Sequence, residues 1–242
     1  NSSVDFDRRA ADKTNASAPI LGNTGQGKSY LLKLLLCKVR EAGKSVISLD
    51  SEHEMEDECR ALGGCFLDYL SGQYRINLLE PRCWDDGSGP EDPDAPDAFR
   101  GTLLSQHISF LRDFFRSYKP FDEAQVDTIA MMLGKLYEMW GINNQTDFSL
   151  LGPKDYPVLS DLHALMEEEY QRVRSTEGGE LYTPELLRSA CLGLHSMCVG
   201  ADAKFFNGHT NLQSDRLVFF NVKDLMEGGK NIKDAMLFNV LS

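Results

Sequence analysis

Residues Gly22 to Ser29 read Gly-Asn-Thr-Gly-Gln-Gly-Lys-Ser, which satisfies the pattern G-x-x-x-x-G-K-[S/T] at every fixed position. No other feature restricts the fold as much, because this pattern operates only between a strand and a helix. Glycines without Cβ let consecutive backbone N–H groups turn toward one anion, and the positive end of the following helix adds to the attraction. Gly22, Asn23, Thr24, Gly25, Gln26, Gly27, Lys28, Ser29 and Tyr30 are the expected binding segment for ATP or ADP. Lys28 is expected to reach the outer phosphates, and the Ser29 hydroxyl to ligate Mg²⁺. Ala18-Pro19-Ile20-Leu21 is the expected strand before the loop, with pairing starting after Pro19 because proline offers no ladder donor. Lys28 to Ala42 is the expected helix after it. Leu31, Leu32, Leu34, Leu35, Leu36 and Val39 make that helix apolar most of the way round, which predicts burial, and Gly43 ends it. A glycine-rich turn that contains Gly-Lys-Ser by chance would account for the loop but not for both flanks.

Downstream, strand and helix alternate. Ser45–Asp50 is a β-rich run, a helix is expected from about Glu52 to Leu62, and Cys65–Leu70 is a second strand after Gly63-Gly64. Such alternation predicts an α/β core with a mostly parallel sheet. Trp84 to Asp97 breaks the pattern. It carries six acids and no Lys or Arg, half of the net charge of −12, together with Pro90, Pro93 and Pro96, and reads as an acidic, flexible loop. Helical periods follow: Leu104, Ile108, Leu111, Phe115 and Tyr118; Val126, Ile129, Leu133, Leu136 and Trp140; Leu159, Leu162 and Tyr170. Thr183 as N-cap with Pro184 at the first helical position starts a fourth helix. The β pattern returns at Arg216–Val222. The expected organisation is therefore 1–83 as the first part of the core, 84–97 as the acidic loop, 98–200 as an all-α insertion and 201–242 as the return to the core.

Several classes are excluded or disfavoured. A net charge of −12 argues against a broad nucleic-acid surface. No run of about eighteen apolar residues exists to span a bilayer, and Asn1–Asp5 shows no signal-peptide pattern. The six cysteines form neither C-x-x-C nor a zinc spacing with histidine and read as reduced core thiols. His107, His163 and His195 fall within helical patterns without ligand spacing, and His53 is expected to be simply exposed.

Asp50 and Glu52 stand at the carboxyl end of an expected strand, where doubly wound sheets place ligand groups. Glu52 is a candidate to polarise the attacking water, and Asp50 to help hold hydrated Mg²⁺. A structural role has equal standing for Glu52, because Ser51-Glu52-His53-Glu54 reads as a capping box and early acids favour a helix start.

The loop, Leu49–Glu54, Tyr74–Leu79, Leu159–Leu162, Phe206–Asn211 and Arg216–Leu225 occur in an order that resembles the conjugative-transfer ATPases of the VirB-four/TraC type. These belong to type IV secretion systems and are related to the HerA–FtsK motors. The similarity begins at Val4–Arg9 and covers nearly the whole chain. It implies a RecA-like P-loop NTPase core with an all-α inserted subdomain, and ATP hydrolysis that powers pilus assembly or substrate transfer. It also implies oligomers of the same ATPase, such as a hexamer, working with secretion-channel components and indirectly on DNA or protein. Their place would be cytoplasmic, at the inner face of the membrane. Leu78 stands where such proteins commonly carry proline, and Asn221 where the late strand more often ends in aspartate. The family's Asp-Glu strand is expected beyond Ser242, as part of a larger motor, so these residues alone are expected to turn ATP over poorly. The competing readings are a nucleotide-binding interaction module without hydrolysis, a HerA/FtsK-like DNA translocase and a P-loop kinase. A kinase would need an Arg-rich lid that the helical segment does not show.

Overall fold

The computed structural model describes residues 19–68, 71–81, 103–175, 181–212, 217–223 and 230–241. The acidic loop 84–97, the Val4–Arg9 segment, Ala18, Tyr69, Leu70 and Arg216 lie outside them. The chain divides into two compact units, residues 1–46 and 47–242, and each is described by itself.

In the first unit the loop runs into helix α1, Lys28–Glu41. Gly27 caps it in the left-handed conformation (φ 81°), and the turn closes at Gly43 (φ 69°). Burial differs from the sequence expectation: Leu36 is buried, but Leu31, Leu32 and Leu34 are exposed. The physical reason is that the described part of this unit contains no second element to cover the helix. The expected strand before the loop is also absent from residues 19–21. Pro19 has no donor to give, and Leu21 is 88% exposed.

The second unit holds a three-stranded sheet of β1 (Val46–Asp50, beginning at the boundary), β2 (Cys65–Asp68) and β3 (Leu217–Asn221) in the order β1-β3-β2. The strand that comes last in sequence lies in the middle. It pairs parallel with β2, Cys65 opposite Val218 and Asp68 opposite Asn221. Leu217, Phe219, Phe220 and Asn221 are all buried, as suits a strand covered on both faces. Helix α2 spans only Glu56–Ala61.

The helical segment comprises α3 (Leu103–Tyr118), α4 (Glu123–Met139), α5 (Leu159–Arg174), α6 (Pro184–Cys198) and the short α7 (Ala203–Phe206). The local signals that start them are visible. Asp122 and Gln125 form a reciprocal capping box on α4. Thr183 Oγ1 accepts the Leu186 N–H at the start of α6, with Pro184 at the first position. Helix α8 (Lys230–Leu241) packs on α3, where Phe110 and Phe238 stack with centroids 5.4 Å apart. One continuous apolar core joins these helices to the sheet: Leu67 of β2 and Phe220 of β3 belong to the same cluster as Leu111, Phe114, Ile129, Leu162 and Leu194.

A candidate phosphate-binding loop and the carboxyl ends of the sheet

The loop of the first unit has the backbone its sequence calls for. Gly25 and Gly27 both adopt positive φ (80° and 81°), a region that costs an ordinary residue about 1–2 kcal/mol. A Cβ added at either would meet nothing within 4 Å, so glycine is needed there for conformation rather than for space. The Gln26 N–H donates to Asn23 O (3.2 Å), which closes the turn. Lys28 extends its Nζ back across the loop to donate to Asn23 O at 2.9 Å. The donor set suits a phosphate group: an ammonium over the loop, backbone N–H groups at a helix start, and Cβ positions left open. Ser29 and Tyr30 follow in the first turn of α1, both exposed.

The second unit organises its strand ends around Asp50. This residue is 5% exposed, and its carboxylate accepts three backbone N–H groups in succession. Glu52 and Glu54 donate to Oδ1 at 3.2 Å each, and Met55 donates to Oδ2 at 2.9 Å. Its own carbonyl accepts the Val222 N–H at 2.9 Å. The carboxylate thus orders the turn from β1 into α2. This corrects the expected capping box: α2 begins at Glu56 with Met55 as N-cap and no side-chain cap, because Asp50 supplies the acceptor that Ser51 was expected to supply. Glu52 is exposed and fixed through its backbone, with its side chain directed by a turn that Asp50 holds.

His53 is exposed, as expected, and it is also tied on three sides. The Asn221 amide Nδ2 donates to His53 Nδ1 at 3.1 Å, which leaves the ring proton on Nε2 to be donated to Glu56 Oε2 at 2.7 Å. The ring lies 5.3 Å from that of Phe66. His53 has φ 60°, a left-handed backbone that histidine tolerates better than most residues. His53 and Arg60 together hold the exposed Glu56 carboxyl below its ordinary range. Asn221 can donate to an unprotonated His53 Nδ1, whereas an aspartate there could only accept from an Nδ1–H. At the end of β2, Asp68 Oδ1 is buried and has no hydrogen-bond partner among the described residues.

Three of the distant motifs meet in a third place. The Arg75 N–H donates to Asn211 Oδ1 (2.7 Å), Asn211 N–H donates to Arg75 O (3.2 Å), and Asn211 Nδ2 donates to Gln73 O (2.7 Å). The Asn77 N–H donates to Thr210 Oγ1 (2.9 Å), and its side-chain amide donates to Pro157 O (3.0 Å). The Ser160 N–H donates to Asn207 Oδ1 (2.9 Å), and Asp161 Oδ2 accepts the Val158 N–H (2.8 Å) at the start of α5. Gly208 sits between them at φ 142°, with the Arg75 side chain 3.0 Å from where its Cβ would be. Tyr74–Leu79, Leu159–Leu162 and Phe206–Asn211 are therefore one polar junction, and none of it is legible from local pattern.

No protein-family model matches the chain, and no curated protein matches it. A solved structure does: VirB4 of Thermoanaerobacter pseudethanolicus, at 29% sequence identity and a TM-score of 0.79, over 99% of this chain. The chain spans 58% of the length of that protein. A helix-rich α/β fold with a small parallel sheet thus carries motifs in the order read from the sequence. The chain is VirB4-like, as the resemblance implied. Among the described residues no helix is long and apolar enough to cross a membrane.

Proposed function

We propose that this chain is the nucleotide-binding part of a motor ATPase of the VirB4 type, with a RecA-like core, which energises a type IV secretion or conjugative-transfer apparatus. The observation that carries the reading is the coincidence of two findings. The G-x-x-x-x-G-K-[S/T] pattern is complete in the sequence with Gly25 and Gly27 at positive φ, and the VirB4 likeness extends over 99% of the chain.

Mg²⁺ supplies charge neutralisation for the phosphates when it is bound. The backbone N–H groups of Gly25 to Ser29 would receive the phosphate oxygens, and Lys28 would release Asn23 O and offset the charge of the outer phosphates. Ser29 would hold the metal, with Asn23, Thr24, Gln26 and Tyr30 shaping the loop around the nucleotide. Glu52 is the residue we assign to orienting water. Asp50, whose carboxylate is spent on three backbone N–H groups, we assign to holding the turn that carries Glu52 rather than to the metal. Phosphoryl transfer on such loops rests on positioning and charge, so a loop held by glycine conformation and one lysine is the part that must be right first. Further subunits of the same ATPase and components of the channel would be the partners, at the inner face of the cytoplasmic membrane.

The test is ATP binding and phosphate release by the purified chain beside its Lys28→Ala variant. Lys28-dependent binding with turnover supports a motor. Lys28-dependent binding with little turnover is the expected result for these residues alone, and absence of turnover by the full-length protein would favour an interaction module that holds nucleotide. Equal affinity of parent and variant would refute the assignment of the loop.

A further inference from the structure

Helices α5 and α6 pack against one another, and each brings a pair of donor residues four positions apart: His163 and Glu167 on α5, Cys191 and His195 on α6. Residues four apart share a helix face, so two such pairs on packed helices can be brought face to face. His163, which the sequence places in a helical pattern without ligand spacing, is 4% exposed, and its Nε2 lies 3.5 Å from Cys191 Sγ and 3.4 Å from His195 Nδ1. Its Nδ1 lies 3.6 Å from Glu167 Oε2. One donor atom from each of His163, Glu167 and Cys191 falls within 4.8 Å of the other two.

These separations have a chemical meaning. Bonds of about 2.3 Å to sulfur and 2.0–2.1 Å to nitrogen at tetrahedral angles place a sulfur and a nitrogen ligand about 3.6 Å apart, and two nitrogens about 3.4 Å apart. The Cys191–His163 and His195–His163 distances match those edges. As direct hydrogen bonds they are poor: a thiol is a weak donor, and 3.4 Å is long for one imidazole proton shared by two rings.

We propose that His163, Cys191, His195 and Glu167 form a binding site for one divalent transition-metal ion of the zinc class, which staples α5 to α6. Thiolate and imidazole donors select such ions over Mg²⁺ or Ca²⁺. A thiolate and a carboxylate together neutralise a divalent charge, which makes partial burial tolerable. The site has an entry path, because it lines a cleft of about 570 Å³ with Glu168, Gln171 and Arg188. The Glu167 side chain is 64% exposed and free to swing onto an ion that the buried pair His163 and Cys191 anchors. The sequence signal was present but split: H-x-x-x-E and C-x-x-x-H are each unremarkable, and only the helix packing joins them.

The experiment uses the full chain, stripped with a chelator and free of nucleotide, so that the outcome does not depend on the phosphate-binding loop. Zn²⁺ alone is titrated by equilibrium dialysis, and Co²⁺ alone is followed by absorption. The expected result is one ion per chain, with Co²⁺ giving a thiolate charge-transfer band and the strong visible bands of a tetrahedral site. Cys191→Ser should abolish the charge-transfer band. His195→Gln and His163→Gln should each weaken Zn²⁺ by at least the roughly tenfold that even an outer partner of a ligand contributes. Helical circular dichroism of each variant without metal should equal that of the parent; if His163→Gln fails this control, Cys191→Ser and His195→Gln decide. Absence of stoichiometric binding, or binding and spectra unchanged in Cys191→Ser, would overturn the proposal.

Discussion

Replacing Asp50 by alanine separates a carboxylate that holds a turn from one that holds a metal. Asp50 is buried, and it satisfies the N–H groups of Glu52, Glu54 and Met55. The Met55 bond is buried, so its loss leaves an N–H unpaired away from water and costs about 1.5–3 kcal/mol, the range for hydrogen bonds to charged groups. The other two lie where water can replace the carboxylate, and about 0.5–1 kcal/mol each is appropriate. The total is about 3 kcal/mol after allowance for relaxation, a large share of the roughly 5–15 kcal/mol that stabilises a domain. For a chain of this size, each kcal/mol lowers the melting temperature by about 2–4 °C, so Asp50→Ala should melt roughly 6–12 °C lower. Asp50→Asn, which keeps one oxygen acceptor, should fall between. The assay is thermal unfolding by circular dichroism, paired with ATP affinity with and without Mg²⁺. A melting temperature within about 2 °C of the parent, with a selective loss of the Mg²⁺-dependent part of ATP affinity, would refute this reasoning and make Asp50 a metal ligand.

Other consequences are equally specific. Glu52→Gln, at an exposed side chain, should change stability by less than about 0.5 kcal/mol and, in the full-length motor, leave ATP affinity intact while turnover falls; a rate within a few-fold of the parent would demote Glu52 to a structural residue. Gly208→Ala puts a Cβ against Arg75 at a φ of 142°, and should cost about 1–3 kcal/mol in denaturant unfolding; an unchanged midpoint would show the 74–79/206–211 junction to be energetically minor. Arg172 first, then Lys135 and the Tyr182 hydroxyl, hold the Glu169 carboxyl well below its ordinary value of 4.5 against the opposing effect of its burial. Because the folded pKa is depressed, this contribution is fully present above the ordinary value and is lost as pH falls below it toward the folded one. Glu169→Gln should therefore cost about 1.5–3 kcal/mol near neutral pH and flatten the decline of stability below pH 4.5; equal acid sensitivity in parent and variant would count against the network.

What was legible in the sequence was local. The turn at Gly22–Ser29 announces itself because glycine is required by backbone conformation at Gly25 and Gly27, a property of single residues. Helices α3 to α6 announce themselves by apolar period, and α6 also by Thr183-Pro184. What was not legible depends on partners far along the chain. The start of α2 was misplaced because Asp50, from the preceding strand, accepts the Glu54 N–H that Ser51 seemed positioned for and holds residues 52–55 in a turn before the helix. Asn77 and Thr210, 133 residues apart, look like ordinary loop residues until they bond. The sheet order puts the last strand between the first two, which alternation alone does not specify. His53 has no signal of its own, since its partner Asn221 is 168 residues away.

The most direct measurement of the central claim is a crystal structure of the chain grown with Mg²⁺ and ADP. The account predicts the β-phosphate against the backbone N–H groups of Gly25 to Ser29, Lys28 Nζ moved from Asn23 O to a phosphate oxygen, and the Ser29 hydroxyl on the metal. A nucleotide bound elsewhere, or a loop that keeps the Lys28–Asn23 contact and excludes ADP at saturating concentration, would contradict it.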